Sequence, residues 1–117
     1  MDERVEKWLT DIKMAIEEID SFTAASEKLN FNTYKTNLIL KRAVERELEI
    51  IGEAVNRILK RDATALLSIP EAKSIVGLRN HIIHVYDNIS DENIWAILVN
   101  HLPKLKEQVN ALLNQIQ

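Results

Sequence analysis

The chain has 117 residues, of which 46% are hydrophobic and 28% charged, a composition typical of one globular domain. It contains only 2 Gly and 2 Pro, which leaves little material for β-turns and favours a helical fold. The formal net charge of −3 argues against a general nucleic-acid coat protein, and the lack of cysteine excludes disulfides and thiolate metal sites. We find no signal-peptide pattern or membrane span, so we expect one cytoplasmic domain over residues 1–117.

Apolar residues recur at intervals of three and four in the first segment, which predicts an amphipathic helix beginning near Asp2. Its apolar stripe consists of Val5, Trp8, Leu9, Ile12, Ala15, Ile16, Ile19 and Phe22. We expect this helix to fray over residues 21–29. Residues 30–33 resemble a loop or one short turn.

A second helix is predicted over residues 36–60. Its main stripe consists of Leu40, Val44, Leu48, Ile51, Val55 and Ile58. Gly52 lies in the middle of this helix, where it costs about 1 kcal/mol relative to Ala. A glycine there indicates the close approach of another backbone.

Pro70 is predicted to open a third helix that ends near Tyr86, and Ser90 to cap a fourth. The fourth stripe continues across Pro103, so we expect a kink there and no break. Four amphipathic helices with short connections predict an all-α fold, an antiparallel four-helix bundle.

The most informative residues are Arg79, Asn80, His84 and Tyr86, within about two turns of the third helix. Arginine binds phosphate through a planar fork, and histidine transfers protons near neutral pH. Cleavage of a phosphodiester without a metal needs those two functions. The alternative interpretation is a solvated arginine and a surface histidine.

Helical geometry places Arg79 and His84 about 140° apart around the third helix. The core stripe of this helix is formed by Ile75, Leu78, Ile82 and Val85, and His84 lies opposite to it. A straight helix cannot aim both side chains at one atom. They converge only if the helix ends near His84, if Arg79 reaches round it, or if a second copy of the chain completes the site.

The four residues resemble the motif of HEPN-domain ribonucleases: Arg, a polar residue, three free positions, His, any residue, Tyr. Within that group the chain resembles the HepT-like toxins of HepT–MntA toxin–antitoxin pairs. The stretch 46–54, RELEIIGEA, is similar to the helix that precedes the motif in the family. The resemblance covers essentially the whole chain.

This resemblance implies a four-helix HEPN fold and a homodimer whose motifs face one another across a cleft. It implies an endoribonuclease toxin that acts on RNA, with a minimal nucleotidyltransferase as antitoxin partner. In the family, that partner transfers AMP to the motif tyrosine, here Tyr86. The alternative is a non-catalytic binding subunit of the nucleotidyltransferase. A third interpretation is a helical dimerisation protein in which the motif has no function.

We therefore predict His84 as general base or acid and Arg79 as the residue that stabilises charge on the phosphate. Asn80 would orient the phosphate or His84. The alternatives are a surface ion pair for Arg79, a local backbone bond for Asn80, and half-buried packing for Tyr86.

Other candidate ligands carry less weight. His81 and His84 are three residues apart, but His101 belongs to another helix and no carboxylate pattern completes a metal site. We expect no metal and no other cofactor. Trp8 and Trp95 are interpreted as packing residues and not as platforms for bases.

Overall fold

The computed structural model describes residues 1–24, 29–84 and 90–116, and for residues 83 and 84 it describes the backbone alone. Its helices are α1 (Glu3–Ala24), α2 (Phe31–Thr36), α3 (Leu38–Arg61), α4 (Ala72–His84), α5 (Asp91–Ala96) and α6 (Leu102–Ile116). A π-helical turn, Ile97–His101, joins α5 to α6. These ranges contain no strand, so the predicted all-α class is confirmed.

The core lies along α1 and α3, which pack against each other, while α6 packs on α1 and α4 packs on α3. Fully buried side chains at its centre include Leu9, Ile12, Ile16, Val44, Val55, Ile58 and Val109. Burial of each such side chain contributes about 1.5–3 kcal/mol. These residues belong to the predicted stripes.

The loop or short turn predicted at residues 30–33 is the first turn of a helix, because α2 begins at Phe31 and continues to Thr36. Asn30 accepts a hydrogen bond from the backbone N–H of Thr33 at 3.0 Å, and the Thr33 hydroxyl accepts one from the N–H of Asn30 at 2.9 Å. This reciprocal cap gives hydrogen-bond partners to the backbone N–H groups of Asn30 and Thr33, which stabilises a helix of only six residues. It seats Tyr34 in the core, where its ring centroid lies 5.7 Å from that of Trp95.

Two predicted helix starts are too early. The second long helix begins at Leu38, because Asn37 acts as its N-cap and accepts from the N–H of Leu40 at 3.0 Å. The third begins at Ala72, and Pro70 lies in the preceding turn. The N–H of Ala72 donates to the carbonyl of Ile69 at 3.1 Å. This hydrogen bond spans three residues, so Pro70 lies in a turn and the α-helical hydrogen bonds begin after it.

The start of the fourth helix is confirmed, because the Ser90 hydroxyl accepts from the N–H of Asn93 at 3.1 Å. Next to Pro103, where a kink was predicted, a π-helical turn precedes the proline. Pro103 has no N–H, and its ring would clash with the carbonyl of Val99 in a regular α-turn. The wider register, in which the N–H of Leu102 bonds the carbonyl of Ile97, accommodates the ring.

None of the helices in the described ranges has the length and apolarity that a bilayer crossing requires.

Candidate active site on helices α3 and α4

Helix α4 carries Arg79, Asn80 and His84 of the predicted motif near its C-terminal end. Arg79 is half-buried, Asn80 is exposed, and Ile82 is buried in the core. His84 is the last residue of α4, about 7.5 Å along the helix axis from Arg79. The side chain of His84 and the whole of Tyr86 lie outside the described residues.

Arg79 lies directly against the backbone of α3 at Gly52. A Cβ built on Gly52 would overlap the Cβ of Arg79, and it would stand 2.8 Å from the Cγ of Arg79 and 3.3 Å from the carbonyl oxygen of Ile75. Any side chain at position 52 would therefore displace α4 or the stem of Arg79. The predicted close approach at Gly52 is confirmed, and the element that approaches is the one that carries the motif.

The guanidinium of Arg79 has two acceptors in reach. Its Nη2 forms an ion pair with Oε2 of Glu53 at 2.5 Å, and its Nη1 donates to the side-chain oxygen of Asn80 at 2.8 Å. This contact is an ion pair and not a hydrogen bond, because the N–H groups of Nη2 are not aligned with Oε2 of Glu53. Nε of Arg79 and Oε2 of Glu53 are buried and have no hydrogen-bond partner among the described residues.

A second arginine shares the carboxylate of Glu53. Nε of Arg57, one turn further along α3, donates to Oε1 of Glu53 at 3.0 Å. The two carboxylate oxygens thus serve different arginines, one on α3 and one on α4. In this arrangement the side-chain oxygen of Asn80 contacts Arg79, and the predicted contact of Asn80 with His84 lies outside the described residues.

A groove of about 350 Å³ runs beside this cluster, along α1, α3 and α4. Its charged lining residues are Asp11, Arg46, Glu49, Glu53, Arg57 and Arg79. Among the described lining residues, the three arginines and the three carboxylates balance in formal charge.

Sequence reasoning missed the contacts of Glu53 and Arg57. The two residues are four positions apart, the spacing of an ion pair along a helix, but no spacing indicates that Arg79 of α4 faces Glu53. The available signal was the place of Glu53 directly after Gly52, because a residue beside a close approach lies within reach of the approaching element.

The tryptophans and the other histidines singled out in the sequence pack against the core or face solvent. Trp95 packs against Tyr34 and Phe31, and Trp8 packs against the core, as predicted. His81 and His101 are exposed. Among the residues whose side chains are described, no three His, Asp or Glu side chains cluster closely enough to hold a metal ion.

The family model for HepT-like ribonucleases matches residues 12–112 of this chain. The chain belongs to the HepT-like ribonuclease family. The match includes α3, α4 and the whole motif, and it confirms the predicted family and the predicted class of activity, ribonuclease.

Individual relatives of this chain are also named as ribonucleases. The chain is 34% identical over 108 residues to a protein of Methanocaldococcus jannaschii described as a candidate RNase, covering 92% of this chain and 95% of the relative. It is 30% identical over 105 residues to a Thermococcus cleftensis protein named probable ribonuclease HepT, covering 90% and 92%. No solved structure matches the chain closely enough to be compared.

Proposed function

We propose that this protein is a metal-independent endoribonuclease and the toxin of a toxin–antitoxin pair. Its active site would be formed by Arg79, Asn80 and His84 at the cleft of a homodimer. Membership of the HepT-like family supports ribonuclease activity. The observation that carries the site is the docking of Arg79 on Gly52, which holds a half-buried guanidinium five residues before a histidine.

The chemistry is attack of a ribose 2′-oxygen on the adjacent phosphorus. His84 takes the 2′-hydroxyl proton as the new P–O bond forms, or protonates the 5′-oxygen as the old bond breaks. The products carry a 2′,3′-cyclic phosphate and a 5′-hydroxyl. Arg79 stabilises the charge that grows on the phosphate oxygens. A guanidinium has five N–H donors, so contacts with Glu53 and Asn80 leave donors for the phosphate.

The first test is cleavage of single-stranded RNA in EDTA. We expect the wild type to cleave, and His84→Ala to lose activity by at least about 100-fold, the scale of general acid–base catalysis. His81→Ala is the matched control, because His81 is an exposed histidine one turn earlier on the same helix. Equal rates for wild type and His84→Ala contradict the proposal.

The homodimer is proposed from helical geometry. Positions 79 and 84 of a regular helix lie about 140° apart around its axis, so we propose that an arginine of one subunit pairs with a histidine of the other across a two-fold axis. Mixing inactive Arg79→Ala and His84→Ala chains should then restore about a quarter of the wild-type rate. Half of the dimers are mixed, and each contains one intact site of two. A mixture that stays inactive argues for sites within one chain.

The toxin role and the nucleotidyltransferase partner rest on the family resemblance. Expression of the chain alone should stop growth, and co-expression of a minimal nucleotidyltransferase should restore it. Because Tyr86 is the proposed site of AMP transfer, Tyr86→Phe should remain toxic in the presence of the partner. Rescue of Tyr86→Phe as complete as that of the wild type contradicts this modification.

A second candidate function is a non-catalytic binding subunit for the nucleotidyltransferase. The pairing of Arg79 with Glu53 favours it, because the proposed phosphate ligand already has a counter-ion in the free chain. A chain that binds the nucleotidyltransferase, leaves RNA intact and does not stop growth would have this function.

A further inference from the structure

The ion pair between Arg79 and Glu53 is less exposed than the arginine–glutamate pairs that form within α3. In the pairs Arg42–Glu45 and Arg46–Glu49 the arginine side chains are 65% and 69% exposed, whereas Arg79 is 24% exposed. Water screens exposed pairs strongly, so they restrain their side chains weakly. The Arg79–Glu53 pair is less screened and therefore restrains its arginine more.

Glu53 is itself fixed from a second side. Its Oε1 accepts from Arg57 on the same helix, while its Oε2 faces Arg79. Gly52, the preceding residue, lets the stem of Arg79 rest on the helix backbone. Two adjacent residues of α3 therefore hold Arg79: Gly52 packs against its aliphatic carbons, and Glu53 forms an ion pair with its guanidinium.

We propose that Glu53 is a positioning residue for Arg79: it acts through the guanidinium and does not touch the RNA. The proposal rests on the proposed ribonuclease function. A charge that stabilises a transition state is most effective when it is already in place, since no reorganisation is then needed during the reaction. Without Glu53 the guanidinium would sample other rotamers, and misplacement by about 1 Å can cost about 100-fold in rate.

The experiment compares Glu53→Gln and Glu53→Ala with the wild type on a single-stranded RNA of defined sequence. We expect kcat to fall by about 10- to 100-fold with KM within about threefold, because orientation in the transition state is lost and ground-state binding is kept. Glu45→Gln is the matched control. Glu45 lies on the same helix and forms an ion pair with Arg42 outside the groove, so the loss of its charge should leave kcat unchanged.

A double-mutant cycle separates positioning from general damage to the fold. In an Arg79→Lys background, whose shorter head group lacks the planar fork, Glu53→Gln should cause little further loss of kcat. A purely structural role would give the same fold-loss in both backgrounds. Additive losses, or a Glu53→Gln variant as active as Glu45→Gln, would overturn the proposal. So would a higher kcat in Glu53→Gln, which would show that Glu53 competes with phosphate.

A measurement that needs no cleavage completes the test. In the wild type, rotation of the Arg79 guanidinium should be slowed, and its Nη signals should be resolved by NMR with ¹⁵N-arginine. Glu53→Gln should collapse these signals, while Glu45→Gln should keep them. Unchanged Arg79 signals in Glu53→Gln contradict positioning. A wild type that holds Arg79 in this way but leaves RNA intact contradicts the proposed ribonuclease function and not the ion-pair restraint.

Discussion

Comparing alanine substitutions at the two glycines of this chain measures the free-energy cost of the steric overlap at Gly52. Both lie inside helices, Gly52 in α3 and Gly77 in α4. A Cβ added at Gly52 would overlap Arg79, whereas a Cβ added at Gly77 would meet nothing within 4 Å. Substitution of each by alanine therefore changes helix propensity equally and packing unequally.

The expected magnitudes follow from these contacts. Alanine in place of glycine in a helix gains about 1 kcal/mol in the free energy of unfolding. We expect Gly77→Ala to show this gain. At Gly52 the overlap with Arg79 and the approach to Ile75 subtract about 1–3 kcal/mol, the usual cost of overpacking. Because the propensity gain is common to both variants, their difference of about 1–3 kcal/mol measures the steric term.

Urea unfolding followed by circular dichroism measures both free energies. The protein concentration must be the same for all variants, because dimerisation would add to the apparent stability. Equal m-values are required before the free energies are compared. Gly52→Ala should also lower the cleavage rate by moving Arg79, and Gly77→Ala should keep it. If Gly52→Ala is as stable and as active as Gly77→Ala, α4 does not rest on Gly52 in solution and the description of the site fails.

Two further predictions concern buried polar groups. Burial and the nearby carboxylate of Glu18 raise the pKa of Glu47 above its ordinary value of 4.5. A carboxyl whose pKa is raised on folding lowers stability as the pH rises through that pKa, so Glu47→Gln should raise Tm near neutral pH. About 1 kcal/mol corresponds to about 4 °C for a chain of this size, and little change is expected near pH 4; the same shift at both pH values would contradict this cause. The hydroxyl of Tyr34 is buried with no hydrogen-bond partner among the described residues, and burial raises its pKa. Tyr34→Phe keeps the ring against Trp95, so the free energy of unfolding should stay the same or rise by up to about 1 kcal/mol; a clear loss in urea unfolding would mean that the hydroxyl has a partner.

The helical framework could be predicted from the sequence because its signals are local. The spacing of apolar residues located α1, α3 and α6, and Ser90 located the start of α5. The helix α2 was missed although its capping pair, Asn30 and Thr33, is also local, because six residues carry too little periodicity to predict a helix. The π-helical turn before Pro103 was missed because the pattern of side chains does not reveal a change of one residue in hydrogen-bond register.

The sequence by itself determined that the chain is helical, that it belongs among HepT-like ribonucleases, and that Arg79 and Asn80 stand near the end of one helix. It also indicated that another backbone would approach Gly52. Only the tertiary structure decided that Arg79 is the residue that fills the space over Gly52, and that Glu53 faces its guanidinium. Such a pairing depends on how two helices are rotated and shifted against each other. That geometry is set by the packing of the whole core, and no spacing within either helix encodes it.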